Sequence, residues 1–178
     1  MTVIKSGQNG NTANVSSEGM LSVASVSETS LEFASKSNNK AYSFVSTYAA
    51  TGGDEVLYIK LTSTSDVLVV DEVVIGSSVA NVFTLFEVGT GIAAGTNLAA
   101  ENLNLSSGNS APVISYGNAA VTGSLTGTNI AIDGVTAGGF QTLDLKGALV
   151  LGQNSEIALT ASATGTVYVT LIGHLKAI

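Results

Sequence analysis

Residues 56–88, VLYIKLTSTSDVLVVDEVVIGSSVANVFTLFEV, constrain the fold more than any other part of the chain. Leu57, Ile59 and Leu61 alternate with Tyr58, Lys60 and Thr62, and that period of two lays one apolar row on one face of a strand. Residues 67–70 are apolar on both faces. Asp71 and Glu72 then interrupt before Val73, Val74 and Ile75, which predicts a bulge or a strand end at the acid pair. In the third run Val82, Phe86 and Val88 share one parity, and Phe83 and Leu85 the other. Val79, Val82, Phe83 and Phe86 also fit helical spacing, but the Val, Phe and Thr content and the following Gly89 favour a strand. Strands apolar on both faces need cover on both. That cover comes from the chain itself or from another subunit.

Length and composition narrow the class. A chain of 178 residues is by default one domain, with room for an arm. Aromatics are only 6% and there is no Trp, so the core is built from small branched side chains. Charged residues are 11%, against roughly 25% in an ordinary soluble domain. A surface of Ser, Thr, Asn and Gly suits a protein that works assembled. Net charge is −7, with six Lys and no Arg. Nucleic-acid binders neutralise phosphates with clustered Arg and Lys, so no nucleic-acid partner is expected, and no anionic membrane surface either. The absence of Cys removes disulfides, thiolate metal sites and a Cys nucleophile together. The opening MTVIKSGQNGNT turns polar after four residues, which reads as no signal peptide. No apolar run approaches the about 18 residues of a membrane span.

Along the chain, residues 1–26 read as an extended arm, rich in Gly and Asn, with a short alternating stretch around Leu21 and Val23. Ordering a backbone residue costs about 1–2 kcal/mol, and full burial of a Val or Leu returns about 1.5–3. An arm this poor in large side chains therefore orders only against a partner surface. Residues 27–178 form the main domain. Residues 28–40 fit one helical turn ahead of an Asn38–Asn39 turn, and Tyr42, Phe44 and Tyr48 give the next strand an aromatic face. Residues 89–139 hold half of the 20 glycines and read as long loops with short strands. Regularity returns at Phe140, Leu143 and Leu145. After a turn at residues 152–154, Ile157, Leu159 and Ala161 share one face; Val167, Val169 and Leu171 do so beyond a hairpin connection at residues 162–166. Eight or nine strands without a long helix give an all-β, jelly-roll-like sandwich.

The residues offer little chemistry. Gly89-Thr90-Gly91-Ile92-Ala93-Ala94 matches a relaxed dinucleotide fingerprint but lacks the helix and the spaced acid that the motif requires. His174 is the only histidine, and no G-x-S-x-G elbow accompanies it, so it reads as structural. Adjacent acids on a strand, as at Asp54–Glu55 and Asp71–Glu72, point to opposite faces and do not chelate. Asp133-Gly134 reads as a turn. No enzyme activity, cofactor or metal is expected.

Three patches carry a family resemblance. Residues 6–15, SGQNGNTANV, are followed by residues 18–29, EGMLSVASVSET. Leu57-Tyr58-Ile59-Lys60 with residues 67–76 forms the second patch. Residues 152–159, GQNSEIAL, with residues 167–172 form the third. Together they resemble small virion structural proteins of tailed bacteriophages. The resemblance implies a jelly-roll subunit, commonly a homotrimer, that sits outside the head as a decoration or cement protein. Its implied partner is the major capsid protein of the same particle, and its location the capsid surface after synthesis in the host cytoplasm. The chain departs from the pattern in lacking Arg and in its long Gly/Ala region. Val15, Leu21, Val23, Phe83 and Leu85 are the residues expected to meet the capsid or a neighbouring subunit. A tail, neck or fibre subunit, adhesive in one version, is the alternative reading; a small hydrolase would need His174 or converging acids in one cleft.

Overall fold

The structure, a computed structural model, describes residues 3–5, 12–15, 21–22 and 29–178. Three short strands come first: β1 (Val3–Lys5), β2 (Thr12–Val15) and β3 (Leu21–Ser22). They form a small antiparallel sheet in which Val15 stands opposite Leu21. Val23 and much of the arm expected over residues 1–26 lie outside the described residues. The helical turn appears where the sequence places it. Thr29 caps α1 (Ser30–Phe33) by accepting a hydrogen bond from the Glu32 N–H at 3.1 Å. The helix widens to π geometry over Ala34–Asn38, and Asn39 ends it at φ 53°. Asn tolerates that left-handed conformation better than most residues.

Ten strands follow: β4 (Ala41–Thr51), β5 (Asp54–Leu61), β6 (Asp66–Ser77), β7 (Asn81–Thr90), β8 (Ala100–Asn102), β9 (Val113–Val121), β10 (Thr126–Val135), β11 (Phe140–Leu151), β12 (Glu156–Ala161) and β13 (Thr164–Ala177). They make two antiparallel five-stranded sheets, ordered β11-β6-β13-β4-β8 and β10-β7-β12-β5-β9. With β8 and β9 set aside, the remaining eight strands run 1-8-3-6 in one sheet and 2-7-4-5 in the other. That order is the jelly roll, two Greek keys folded face to face. β8 and β9 belong to an excursion between β7 and β10, and they add one edge strand to each sheet.

The core between the sheets is built as the composition requires. Tyr42, Phe44 and Phe83 are its large aromatics, and Ile59, Leu61, Leu68, Ile75, Leu85, Leu159 and Leu171 fill around them. Phe83 and Leu85 are each 1% exposed, so they pack inside the sandwich and present no side chain to a capsid or a second subunit. The alternating parity of β7 is right; the face turned to the interior is the one the sequence reading turned outward.

The acid pair falls at a bulge. Ile172 pairs with Glu72 and Gly173 with Val70, so Asp71 is the extra residue. On the other side of β6, Asp144 pairs with Glu72 and Leu149 with Val70, so residues 145–148 loop out opposite the same bulge.

Residues 89–139 are more regular than the glycines suggest. β9 has nine residues and β10 ten. Asp133 and Gly134 lie inside β10, and the turn to β11 comes after Val135. The rest of the excursion covers the outside of the β10-β7-β12-β5-β9 sheet. There Tyr58, Phe86 and Ala158 form a second small core with Val121 and Leu125, flanked by Ala93 and Tyr116. The rings of Tyr58 and Tyr116 stack at 5.6 Å. Glycine is what lets the cover lie this close. A Cβ on Gly123, at φ 134°, would fall 2.0 Å from the Ile92 carbonyl oxygen.

Candidate interaction surface

The outside of the β11-β6-β13-β4-β8 sheet receives no comparable cover from residues 91–125. Its outward side chains form cross-strand rows. The first row is Phe140, Gly76, Tyr168 and Thr47; the second is Thr142, Val74, Thr170 and Val45. The third holds Asp144, Glu72, Ile172 and Ser43. Phe140 lies flat across Gly76, where a Cβ would meet its ring at 2.4 Å, and its centroid is 5.9 Å from that of Tyr168. Phe140 is 66% exposed, Val45 51% and Tyr168 40%. Three exposed aromatic and branched side chains on neighbouring strands of one sheet form a patch, unlike scattered apolar residues, which need no explanation.

The only charges in these three rows are acids. Glu72 and Asp144 stand directly opposite each other in register, an arrangement that destabilises a strand pair. The Lys146 ammonium lies 3.9 Å from Asp144, an exposed pair worth little. The Glu72 side chain has no hydrogen-bond or ion-pair partner among the described residues.

Beyond the bulge the same face runs under α1. Here His174 is 5% exposed, and its Nδ1–H donates to the Asp71 carboxylate at 2.8 Å. The bulge is what aims Asp71 at the ring. Acceptance by a carboxylate sets the tautomer and fixes the imidazole. Two depressions border it. One, of about 850 Å³, lies between α1 and the end of β13, and Lys40 and Lys176 line it. The other, of about 480 Å³, is lined by Val67, Val69, Lys146 and Ser30. Among the described residues, no hydroxyl makes a hydrogen bond to His174. The Asp71–His174 hydrogen bond ties the bulge of β6 to β13. Among the described residues no group of three or more His, Asp or Glu converges for a metal. No helix in these residues is long and apolar enough to cross a membrane.

Lys40 also anchors the turn between β5 and β6. Its ammonium donates to Asp66 at 2.6 Å, and the Ser63 and Ser65 hydroxyls donate to the other carboxylate oxygen at 3.3 Å. The Lys40 hydrogen bond, with these hydroxyls, holds the Asp66 carboxyl below its usual range, against burial, which acts the other way. A depressed carboxylate contributes stability that is present above the unfolded value near 3.8 and is lost as pH falls through the folded one. Acid titration of stability should therefore show a loss beginning near pH 4. Asp66→Asn should be less stable at neutral pH and should show a smaller decline over the same window. An identical pH profile for the variant would refute this role.

Of the sequence-derived contact residues, Val15 and Leu21 pair in the small first sheet, Val23 lies outside the described residues, and Phe83 and Leu85 are core. The structure brings forward Phe140, Tyr168 and Val45 instead. The signal for Tyr168 was present, since Tyr168, Thr170 and Ile172 stand opposite the buried Val167, Val169 and Leu171. Comparison with protein families, with curated proteins and with solved structures yields no match to this chain.

Proposed function

We propose that this chain is a structural virion subunit of the head-decoration type, which binds the outside of a capsid lattice and stabilises it. The observation that supports this reading is the face that carries Phe140, Tyr168 and Val45, exposed among the described residues, on a sandwich whose other face carries its own cover. Four strands about 4.8 Å apart, exposed over about five residues each, make a patch of roughly 19 by 17 Å. That is under half of the about 800 Å² per partner of a stable interface, so each contact is weak by itself. The acid pair on the patch fits a lattice surface that offers a Lys or Arg among apolar side chains, because a cation placed there relieves the Glu72–Asp144 repulsion. The phage resemblance supplies the lattice as partner, and a repeated lattice makes weak single contacts sufficient.

The test is binding of the purified protein to heads of the same particle from which it has been stripped. Wild-type protein is expected to bind stoichiometrically and to raise the resistance of the heads to heat. Val45→Glu and Tyr168→Glu, both at exposed positions, are expected to fold and to lose that binding. Variants that bind as wild type does would sink the proposed face. Wild-type protein found only at one vertex, in a few copies, would move the chain to the neck or tail.

A further inference from the structure

Where β13 ends, the two depressions beside His174 meet. Ser30, His174, Lys176 and Ala177 line both, so together they make one groove that passes the start of α1. Strand register gives its floor. Val150, Val69, His174 and Ala41 stand abreast on β11, β6, β13 and β4. Across four strands that run is about 14 Å long. At about 3.3 Å per residue, His174 lies about 20 Å along β13 from Tyr168, so the groove and the apolar patch occupy opposite ends of the face.

The charge in this groove runs against that of the chain. Net charge is −7, yet Lys40, Lys146 and Lys176, half of the six lysines, line it, and Asp71 is the one Asp or Glu among the lining residues. Asp71 already accepts from His174. Lys40 gives one of its ammonium donors to Asp66, and Lys146 lies 3.9 Å from Asp144. The Lys176 ammonium has no partner among the described residues. Between these cations sits a fixed acceptor. His174 is 5% exposed, and with its Nδ1–H on Asp71 the other ring nitrogen, Nε2, carries a lone pair. Nε2 has no partner among the described residues, and it is not sealed off, because no wholly buried side-chain nitrogen in them lacks one. A bare acceptor on so buried a side chain calls for a donor from outside the chain. Phe33, 51% exposed, and Val150, 49%, add apolar surface.

We infer that this groove binds an acidic saccharide, a sugar chain that carries carboxylates. The lysines meet the carboxylates, a sugar hydroxyl donates to Nε2 of His174, and the C–H faces of the rings lie on Phe33 and Val150. Both depressions fall within the about 300–1,000 Å³ of small-molecule sites. Lys40 adjoins the β4 end of the run and Lys146 the β11 end, with Lys176 between. Single cations set apart in this way suit charges repeated along a chain. A phosphate is held instead by an Arg fork or a nest of backbone N–H groups, and the chain has no Arg. A peptide fits worse than a sugar. Its backbone needs an open strand edge to pair with, and β6 and β13 are each paired on both sides along this floor. A saccharide brings no row of backbone amides to satisfy. The groove uses neither Phe140, Tyr168 nor Val45, so the inference stands independently of the proposed lattice contact.

The experiment is calorimetric titration of the full chain with trisaccharides of galacturonate, mannuronate and sialate. The methyl esters of the same sugars and a triglutamate peptide serve as comparisons. At least one acidic trisaccharide is expected to bind, and its ester about tenfold or more weakly. Amide NMR signals of His174 and Lys176 should shift with the titration while that of Tyr168 stays in place. Lys146→Gln combined with Lys176→Gln, both at exposed positions, is expected to weaken binding about tenfold or more and to leave the urea midpoint unchanged. Binding of none of the acidic sugars would overturn the inference, as would esters that bind equally well or a double variant that binds as wild type does. Binding of triglutamate alone would make the groove a peptide seat and overturn it too. The face variant Val45→Glu should keep its affinity for the sugar, which separates failure here from failure of the lattice reading.

Discussion

Phe44→Ala should lower the stability of the fold by about 3–5 kcal/mol, the usual cost of deleting a buried phenyl ring. Phe44 is fully buried on β4, opposite Leu171 of β13 and Ala100 of β8. Such a domain has roughly 5–15 kcal/mol in total, so this one ring carries a large share. The cost falls at the high end because the site cannot collapse. Phe44 stands opposite Leu171 and Ala100 on strands held in register by backbone ladders, so the backbone does not close over the space. Phe44→Leu keeps part of the volume and should cost less than half as much. Urea unfolding checks both, and the midpoint should move while its slope does not. A loss under about 1 kcal/mol for Phe44→Ala would mean that the aromatic-poor core tolerates voids better than its geometry implies.

Gly123→Ala should be nearly as damaging, by a different route. The residue sits at φ 134°, and an added Cβ meets the Ile92 carbonyl oxygen at 2.0 Å. Backbone strain of this kind costs roughly 1–3 kcal/mol, and steric displacement of a packed backbone a similar amount. The segment that has to move carries Ala93 and Leu125, which lie over Tyr58, Phe86 and Ala158. The variant should therefore loosen the outer cover before the sandwich itself. Amides of Ala94 and Thr122 should exchange faster, and the stacked Tyr58 and Tyr116 should become more exposed. Gly53→Ala is the comparison: it also has positive φ, 77°, but no atom lies within 4 Å of the added Cβ. Equal losses in the two variants would remove the steric argument and leave only the backbone one.

The regular strands were readable because alternation reports burial on a sheet directly. Leu57, Ile59 and Leu61, or Val167, Val169 and Leu171, point into the core as their spacing predicts. Asp71 and Glu72 announced the bulge because two acids cannot both be accommodated on a strand with one buried face. The limit appears at β7. Val82, Phe86 and Val88 compete with Phe83 and Leu85, and periodicity alone does not say which row faces inward when the outer row is also half-covered. The cover itself is made by Ala93, Val121 and Leu125, small residues scattered among glycines with no period to detect. β9 and β10 were hidden for the same reason: Gly117, Gly127 and Gly134 read as breaks, yet each sits within a strand. The candidate surface was half legible. Tyr168 belonged to a visible outward row, but its meeting with Phe140 across Gly76 depends on strand pairing that no local pattern encodes. His174 and Asp71 are 103 positions apart, and only the β6–β13 register unites them.

β13 follows every other strand in sequence, yet it lies between β6 and β4, paired along nearly its whole length with both. During synthesis, the sheet therefore has a slot at its centre that stays vacant until residue 177 has cleared the ribosome. Until then β4 and β6 have no central neighbour, and another nascent copy can supply one. Premature termination ahead of this strand should yield an aggregating species and not a smaller working subunit, and crowding on polysomes should favour exchange of this strand between chains.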